Sequence, residues 1–275
     1  MYALRMKTNR VIKRDQAARL DLASRINLEI ELTDAEAERI PPKPIPANWQ
    51  FKDYSQRAPW MAHLFDFLGS LAGRTILDLG CGYNPTPIYF ALAGARRVYA
   101  CDVSPKAVAY VQEMAETAGV AHRISAFVCA GERLPLADAT IDLVHGAGVL
   151  HHLAIPLAGA EISRVLRPGG KAGFKDPLGH NPVLELARDY LPYSWKKPFK
   201  GTDRPLKIGD IESFSQHFAA GSYRGFGLVS MLVTFLYGRK ITRLKKFSYR
   251  WDESLLRLFP FLQRFCRFVV TCVQK

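Results

Sequence analysis

The stretch that decides the fold is Ile76-Leu77-Asp78-Leu79-Gly80-Cys81-Gly82, an apolar run that ends in two glycines. A second apolar run, 97–101, ends in Asp102, 20 positions beyond Gly82. Glycine lets the backbone approach a ligand closely at a strand–helix turn, and the N-terminus of the next helix offers unpaired N–H groups. An acid at the end of the second strand is placed to accept the hydroxyls of a ribose. The pattern predicts two βα units built for an adenosine-containing ligand.

The third position of the glycine loop indicates which kind of adenosine ligand is favoured. A dinucleotide site needs a third glycine, in the pattern G-x-G-x-x-G, but Pro85 stands at that position. The loop is therefore poorly suited to bind a pyrophosphate. Asp78, inside the strand, places negative charge near the turn, which favours a ligand that carries an ammonium group. A tight turn without any ligand is the alternative, and the distant acid Asp102 weighs against it.

From residue 73 onward, short apolar runs alternate with helix-length amphipathic runs, which is typical of a parallel sheet built from βαβ units. We predict strands at 75–79, 97–102, 126–129, 141–144, 171–175 and 267–271. Residues 222–236 suit either a long strand or a buried helix. The predicted fold class is α/β, a Rossmann-like, doubly wound and mostly parallel seven-stranded sheet with N-terminal helices and a C-terminal extension.

Prolines divide the chain of 275 residues into two parts. Residues 1–72 read as a helical segment with a proline-rich connector, because four prolines between Pro41 and Pro46 cannot lie inside a helix. Residues 73–275 form the second domain. Within it, the regular alternation fades after Pro177, so we expect 178–260 to supply ligand-binding or cap elements.

The composition, 48% hydrophobic and 23% charged, describes a globular chain rather than a disordered one. The longest uncharged apolar stretch, 225–238, is too short for a membrane-spanning helix. Five cysteines without metal-ligand spacing favour a reducing compartment, with no metal site and no disulfide. The N-terminus lacks an apolar run, so we predict no secretory signal and a cytoplasmic location.

The net charge of +13 is concentrated in one part of the chain. Residues 181–275 contain 17 Lys and Arg against 7 Asp and Glu, whereas 71–180 are nearly balanced, with 10 against 9. A basic surface attracts nucleic acid, anionic lipid or an acidic substrate. An ordinary solvated face is an equally good interpretation.

Five blocks in order give the chain a resemblance to the class I S-adenosylmethionine-dependent methyltransferases with a D-x-G-x-G loop. They cover about residues 73 to 177. The blocks are Ile76 to Gly82, Val98 to Pro105, Glu132 to Pro135 with Ile141 to Val144, Val149 to Leu153, and Glu161 to Gly170. The resemblance implies S-adenosyl-L-methionine as cofactor and identifies 73–275 as the methyltransferase domain, but it does not name the acceptor.

The resemblance also implies roles for individual residues. Gly80 and Gly82 would line the methionine part of the cofactor, Asp102 would hold the ribose and Val103 would pack on the adenine. The full set of cofactor-binding residues predicted in this way is Asp78, Gly80, Cys81, Gly82, Asp102, Val103, Gly131, Glu132 and Ala147.

Two positions depart from the family pattern. The usual third glycine of the loop is Asn84, and the aspartate that usually meets the adenine amino group is Ala130. We therefore expect Glu132 or the backbone to recognise the adenine.

Methyl transfer needs an acceptor held in line and, for some acceptors, a base. In open parallel sheets the reacting atoms lie beyond the carboxyl ends of the strands, which selects residues after strands four and five. His151 follows the fourth strand, and Asp176 and His180 follow the fifth. We predict Asp176 with His180 as the acid–base pair, a carboxylate orienting a histidine, and keep His151 as a further candidate.

Residues 178–260 interleave aromatic and basic residues, which favours a greasy pocket with a cationic rim. We predict transfer to oxygen, or alternatively carbon, of a small lipophilic or glycosylated acceptor in secondary or lipid metabolism, with an amphiphilic or anionic acceptor as partner. Peripheral contact with an anionic membrane is a second expectation. The alternatives are an RNA methyltransferase, for which no RNA-binding module is visible, and a non-catalytic protein that binds the cofactor.

Overall fold

A computed structural model describes residues 21–37, 45–46, 49–190, 204–237 and 242–275. Its seven strands are β1 (Thr75–Leu79), β2 (Arg97–Asp102), β3 (Ile124–Val128), β4 (Ile141–Ala147), β5 (Leu166–Pro177), β6 (Ala220–Phe226) and β7 (Phe268–Gln274). Ten α-helices are described: α1 (Leu22–Ala37), α2 (Phe51–Ser55), α3 (Pro59–Leu68), α4 (Thr86–Leu92), α5 (Pro105–Thr117), α6 (Ile155–Val165), α7 (Pro182–Tyr190), α8 (Ile208–Ser215), α9 (Val229–Tyr237) and α10 (Thr242–Leu258).

The strands form one sheet in the order β3-β2-β1-β4-β5-β7-β6. The first five strands are parallel, and β7 lies antiparallel between β5 and β6. The predicted Rossmann-like, mostly parallel seven-stranded sheet is confirmed. The order reverses between β1 and β4, which is where such sheets bind ligands, beyond the carboxyl ends of the strands.

Two apolar layers enclose the sheet, and every residue of β1 is buried, as is usual for parallel strands covered on both faces. One layer packs α3, α4 and α5 on the sheet around Leu64, Phe90 and Val111. The other packs α6 and α8 on the opposite face around Ile162, Phe174 and Phe214. The sheet is therefore packed on both faces, and this packing fixes the positions of the loops at its carboxyl ends.

For residues 222–236 the sequence suited either a strand or a helix, and residues 220–237 contain one of each. They form strand β6 and helix α9, which meet at Gly227, whose φ is +80°. The carboxylate of Asp252, in α10, accepts the backbone N–H groups of Leu228, Val229 and Ser230, and so caps α9. The helical pair α9–α10 is thus an insertion between two antiparallel strands.

The N-terminal prediction is only partly covered by the described residues. Residues 22–37 are helical, in agreement with a helical segment, while 1–20, 38–44 and 47–48 lie outside the described residues. Residues 191–203, part of the predicted cap, also lie outside them. No helix in the described ranges is long and apolar enough to cross a membrane.

Candidate functional site

A crevice lies beyond the carboxyl ends of β1, β2 and β4, and we call it the cofactor crevice. Gly80 and Gly82 line it with positive φ angles of 68° and 49°, a region that an L side chain enters at a cost. A Cβ on Gly80 would lie 2.6 Å from Cγ2 of Val149, whereas a Cβ on Gly82 would meet nothing within 4 Å. Gly80 is therefore required for packing, and Gly82 keeps backbone open toward the crevice.

Asp102, the last residue of β2, fixes the glycine loop. Its Oδ2 accepts the N–H of Gly82 at 2.9 Å, and its Oδ1 accepts the N–H of Ser104 at 2.9 Å. Burial raises the pKa of Asp102, the two N–H groups oppose that shift, and the nearby charge of Glu29 adds to it. The carboxylate lines the crevice, so it can also accept hydroxyl groups from a ligand.

Helix α1 lies over the cofactor crevice and is attached to both of its sides. Arg25 donates from Nη2 to the carbonyl of His152 at 2.6 Å, and Nδ1 of His152 lies 3.1 Å from a carboxylate oxygen of Glu29. At the other side, the hydroxyl of Ser104 donates to Asp34. Arg25 and Glu29 line the crevice. Arg25, Glu29 and Asp34 were not predicted, because the irregular apolar spacing in α1 does not indicate which loop the helix crosses.

Seven of the nine predicted cofactor residues line the crevice: Gly80, Gly82, Asp102, Val103, Gly131, Glu132 and Ala147. Asp78 and Cys81 do not. Cys81 is buried, and burial raises the pKa of its thiol well above the ordinary value. Asp78 is 2% exposed and lies behind the glycine loop.

The position of Asp78 corrects its predicted role as a charge facing a ligand. Its Oδ1 lies 2.5 Å from Nδ1 of His145, in the neighbouring strand β4. The ring of His145 is stacked on Phe65, with 5.8 Å between ring centroids. Asp78 and His145 thus form a buried polar pair inside the apolar layer, because the parallel register places the two residues side by side.

Glu132, predicted as an adenine contact, and Asn84, at the position of the loop's usual third glycine, both reach the crevice. Glu132 lines the crevice, but its Oε1 already accepts the N–H of Ala154 at 2.8 Å, at the start of α6. Asn84 lines the crevice as well. The adenine contact of Glu132 stays a prediction, to be met by its remaining acceptor capacity.

His151 and Asp176 are paired at the carboxyl ends of β4 and β5. Nδ1 of His151 lies 2.8 Å from Oδ1 of Asp176, and the backbone N–H of His151 lies 3.3 Å from the same oxygen. Asp176 is 1% exposed, and within the described part of the chain its Oδ2 has no hydrogen-bond partner. The ring of His151 lies 3.9 Å, centroid to centroid, from the ring of His152, which lines the crevice.

The predicted pairing of Asp176 with His180 is not the one that the structure contains. Nε2 of His180 accepts the N–H of Ile208 at 3.0 Å and so satisfies a donor at the start of α8. Burial lowers the pKa of His180, and the positive charges of Arg264 and Lys207 lower it further. Nearness in sequence was misleading here, because neighbouring strands bring His151 to Asp176 from 25 positions away.

A second cavity, of about 630 Å³, lies at the same edge of the sheet beyond β5, between α3, β6, β7 and the inserted α9–α10 pair. We call it the basic pocket. Its apolar wall includes Trp60, Phe226, Met231, Leu256 and Phe268, and its cations are Arg57, Arg224, Lys245, Arg250 and Arg267.

The acids of the basic pocket balance these cations only in part. Asp66, Asp252 and Glu253 also line it, but Asp252 is used in capping α9. The ion pair between Arg224 and Glu253, at 3.7 Å with both side chains exposed, is weak. An amphiphilic anion would find both apolar walls and positive charge in this cavity.

Lys175 has neighbours in the linings of both cavities. It pairs across the sheet with Ala147 of the cofactor crevice, and its Nζ lies 3.8 Å from the ring centroid of Phe268 and 5.5 Å from that of Trp60. Burial lowers the pKa of Lys175, Asp176 raises it, and Arg267 lowers it. The ammonium thus lies beside two aromatic residues that line the basic pocket.

The fold and the crevice together define a Rossmann-like nucleoside-binding domain. Among the described residues, three acids line the crevice, Glu29, Asp102 and Glu132, against one arginine, Arg25. This balance suits a ligand with positive charge and a ribose better than a pyrophosphate. The donors and acceptors present therefore fit S-adenosylmethionine, which has a sulfonium, an ammonium and a ribose.

Comparison with known proteins agrees with this fit. Residues 77–174 match a family model described as a methyltransferase domain. Residues 77–174 therefore carry a methyltransferase domain of the kind that uses S-adenosylmethionine as cofactor. The match runs from within β1 to within β5 and includes the crevice lining that these strands and their loops supply, but not helix α1.

Individual relatives match part of the chain. The chain is 32% identical over 121 residues to a tRNA U34 carboxymethyltransferase from Cellvibrio japonicus, over 43% of this chain and 38% of that protein. It is 33% identical over 108 residues to 27-O-demethylrifamycin SV methyltransferase from Amycolatopsis mediterranei, over 39% of this chain and 40% of that protein. The chain thus spans less than half the length of these curated relatives.

A solved structure extends the likeness in fold to almost the whole chain. It is the geranyl diphosphate C-methyltransferase of Streptomyces coelicolor A3(2), with a TM-score of 0.57 over 93% of this chain and 98% of that one. The sequences are 13% identical, so the likeness concerns the fold alone.

Proposed function

We propose that this protein is an S-adenosylmethionine-dependent methyltransferase that transfers a methyl group to oxygen of a small, lipophilic or glycosylated acceptor, in secondary or lipid metabolism. The observation that carries the proposal is the His151–Asp176 pair beside the cofactor crevice. Carbon is the alternative acceptor atom. A histidine held by a buried carboxylate is the arrangement that a hydroxyl acceptor needs in order to lose its proton.

In this proposal the cofactor is held by the residues of the crevice. Gly80 and Gly82 would lie along its methionine part, Asp102 would accept its ribose hydroxyls, and Val103 would pack on its adenine. When bound, it supplies an activated methyl group on a positively charged sulfur. Helix α1 would exclude water from the crevice through the contacts of Arg25 and Asp34.

His151 would act as the base. In the tautomer whose Nδ1–H donates to Asp176, Nε2 is the nitrogen that accepts a proton. Nε2 of His151 would take the proton of the acceptor hydroxyl when the acceptor oxygen receives the methyl group that the bound cofactor supplies. Asp176 keeps the ring oriented and stabilises the imidazolium that results. His180 has no part in this step, because its Nε2 serves helix α8.

The basic pocket supports an amphiphilic or anionic acceptor. Its aromatic walls suit an apolar body, and its arginines suit a carboxylate or phosphate. One side of it is lined by residues of α9 and α10, in the segment 178–260 for which cap elements were predicted. Arg224 of β6 and Arg57, just before α3, supply cations on the other sides.

The experiment is a transfer assay with tritiated-methyl S-adenosylmethionine and a panel of defined acceptors. The panel contains a long-chain alkylphenol, a hydroxylated fatty acid, a phenolic glycoside and total bacterial tRNA. We expect label in one of the three small acceptors, and loss of that label with Asp176→Ala at unchanged cofactor affinity. Label in tRNA alone would favour the RNA methyltransferase, and cofactor binding without transfer to any acceptor would favour a non-catalytic binding protein.

We also propose that the protein makes peripheral contact with an anionic membrane, as the excess of Lys and Arg in 181–275 predicts. This contact does not depend on catalysis. It requires a face that combines exposed apolar side chains with positive charge.

A further inference from the structure

The outer side of α10 carries a stripe of exposed apolar side chains. Leu244, Phe247, Trp251 and Leu258 are 38%, 55%, 54% and 71% exposed. Because they are three, four and seven residues apart, they lie on one side of the helix. We call these four residues the apolar stripe. The opposite side of α10 is buried through Ser248, Asp252 and Leu256. The apolar stripe is therefore not needed for packing against the rest of the described chain.

Two more aromatic residues are exposed directly after the end of α10. Phe259 and Phe261 are 47% and 65% exposed, and their rings lie 6.2 Å apart. Phe247 and Trp251 also lie together, with 5.7 Å between centroids. Exposed aromatic side chains that lie in contact with each other are typical of an interaction site rather than of scattered apolar exposure.

Positive charge runs along one edge of the apolar stripe. Arg243, Lys246, Arg250 and Arg257 are all exposed, and their spacing of three, four and seven residues sets them on an adjacent strip of the same helix. We call these four residues the basic flank. A helix with aromatic and leucine residues on one strip and Lys and Arg beside it is the type that lies in the interface of a membrane.

We propose that the apolar stripe and the basic flank dock α10 parallel to the surface of a bilayer that contains anionic phospholipid. The apolar side chains would enter the boundary between headgroups and acyl chains. The long stems of the basic flank would pack on apolar surface while their charges reach the phosphates. The inference rests on the membrane contact proposed above and names the face that makes it, independently of methyl transfer.

The charge pattern argues for a lipid surface rather than a second copy of this chain. In a twofold dimer the same patch would face itself, which brings the basic flank of one copy close to that of the other. Like charges so placed repel each other, whereas an anionic bilayer satisfies them. The basic flank therefore favours an anionic occupant.

The docking face and the basic pocket share helix α10. Lys245, Tyr249 and Leu256 line the pocket from its inner side, and Arg250 belongs both to the pocket lining and to the basic flank. Docking would thus bring one wall of the basic pocket next to the bilayer. An amphiphilic acceptor would then have only a short distance to travel between the membrane and the pocket.

The experiment is flotation of the full chain with vesicles, without cofactor or acceptor. One set contains equal parts of phosphatidylglycerol and phosphatidylcholine, and the other contains phosphatidylcholine alone. We expect binding to the first set that weakens as salt is raised, and little binding to the second. Equal binding to both sets, or binding to neither, would overturn the proposal.

Two variants separate the apolar and the electrostatic contributions. Phe247→Ser with Trp251→Ser removes two aromatic anchors, and we expect the partition coefficient to fall about tenfold or more. The matched control is Leu157→Ser, at a residue of α6 that is 52% exposed. An equal loss in this control would show that general surface hydrophobicity is responsible, which would overturn the assignment to α10.

The triple variant Arg243→Gln, Lys246→Gln and Arg257→Gln removes three charges of the basic flank and leaves the pocket lining intact. We expect partition into anionic vesicles to fall roughly 100-fold at low salt. The control with equal charge change, Lys52→Gln, Lys106→Gln and Arg133→Gln, lies on other exposed positions and should bind nearly as well as the wild type. Equal losses in the two triples would reduce the effect to net charge and contradict a docking face.

Light scattering tests the competing occupant. If the chain forms a dimer in solution that Phe247→Ser with Trp251→Ser dissociates, the apolar stripe is a contact between two copies, and the membrane proposal is wrong. Circular dichroism and thermal unfolding of each variant establish that the fold is retained, so a loss of vesicle binding cannot be caused by unfolding.

Discussion

Asp176 accepts a hydrogen bond from Nδ1 of His151 at 2.8 Å, and the two residues stand at the ends of adjacent parallel strands. Sequence spacing had placed Asp176 with His180. In the structure its partner is His151, which lies four residues beyond the end of β4. If His151 is the base, Asp176 fixes which of its nitrogens accepts the proton. The two side chains therefore have different roles, proton acceptor for His151 and orienting group for Asp176, and variants of each can test them.

We predict that His151→Ala and Asp176→Ala each lower turnover about 10²- to 10⁴-fold while leaving the dissociation constant for S-adenosylmethionine unchanged. The reason is that both residues serve the acceptor's proton and neither lines the cofactor crevice. Single-turnover transfer rates and calorimetric titration with the cofactor are the measurements. His180→Ala is the control, with normal turnover and a loss of about 1 kcal/mol of stability from the uncapped N-terminus of α8. Normal turnover in the first two variants would contradict the base.

A second prediction concerns the pH dependence of cofactor binding. The folded chain raises the pKa of Asp102 above 3.8, mainly through burial, and Glu29 adds to the rise. The ribose hydroxyls favour the ionised carboxylate, so affinity for S-adenosylmethionine should fall as the pH is lowered through that raised pKa. Calorimetric titration at several pH values measures this.

Two variants test the cause of that dependence. Glu29→Gln removes a negative neighbour and should move the midpoint of the fall to lower pH. Asp102→Asn should bind weakly at every pH and lose this part of the dependence. If Asp102→Asn binds as tightly as the wild type, the ribose contact assigned to Asp102 is wrong.

The sheet and the glycine loop were predictable because their signals are local. The run 75–82 contains a buried strand and its turn within eight residues, and each later strand is bounded by turn residues. The contacts of α1 were not predictable, because Arg25 and His152 are 127 positions apart and no pattern in the helix sequence indicates that they meet. Likewise, the end of β6 and the start of α9 depend on Asp252, a capping residue 22 to 24 positions further along the chain.

A third prediction compares the two glycines of the loop. Both have positive φ, so alanine at either position costs about 1–2 kcal/mol from the backbone alone. Gly80→Ala also places a Cβ 2.6 Å from Val149, whereas Gly82→Ala meets nothing within 4 Å. Chemical denaturation should therefore show the larger loss of unfolding free energy for Gly80→Ala. Equal losses would mean that Val149 moves aside without cost.

The last prediction concerns Asp78, which the sequence placed at the cofactor and the structure places in a buried pair with His145, both side chains 4% exposed. Removing one partner of such a pair leaves the other buried and unpaired, which costs about 3–5 kcal/mol. Asp78→Ala should therefore lower the midpoint of thermal unfolding strongly, and His145→Ala should do the same. The double variant Asp78→Leu with His145→Phe replaces the pair by apolar side chains, and it should recover part of the loss. If Asp78 acts on the cofactor instead, Asp78→Ala weakens cofactor binding far more than His145→Ala does at a temperature where both variants are folded.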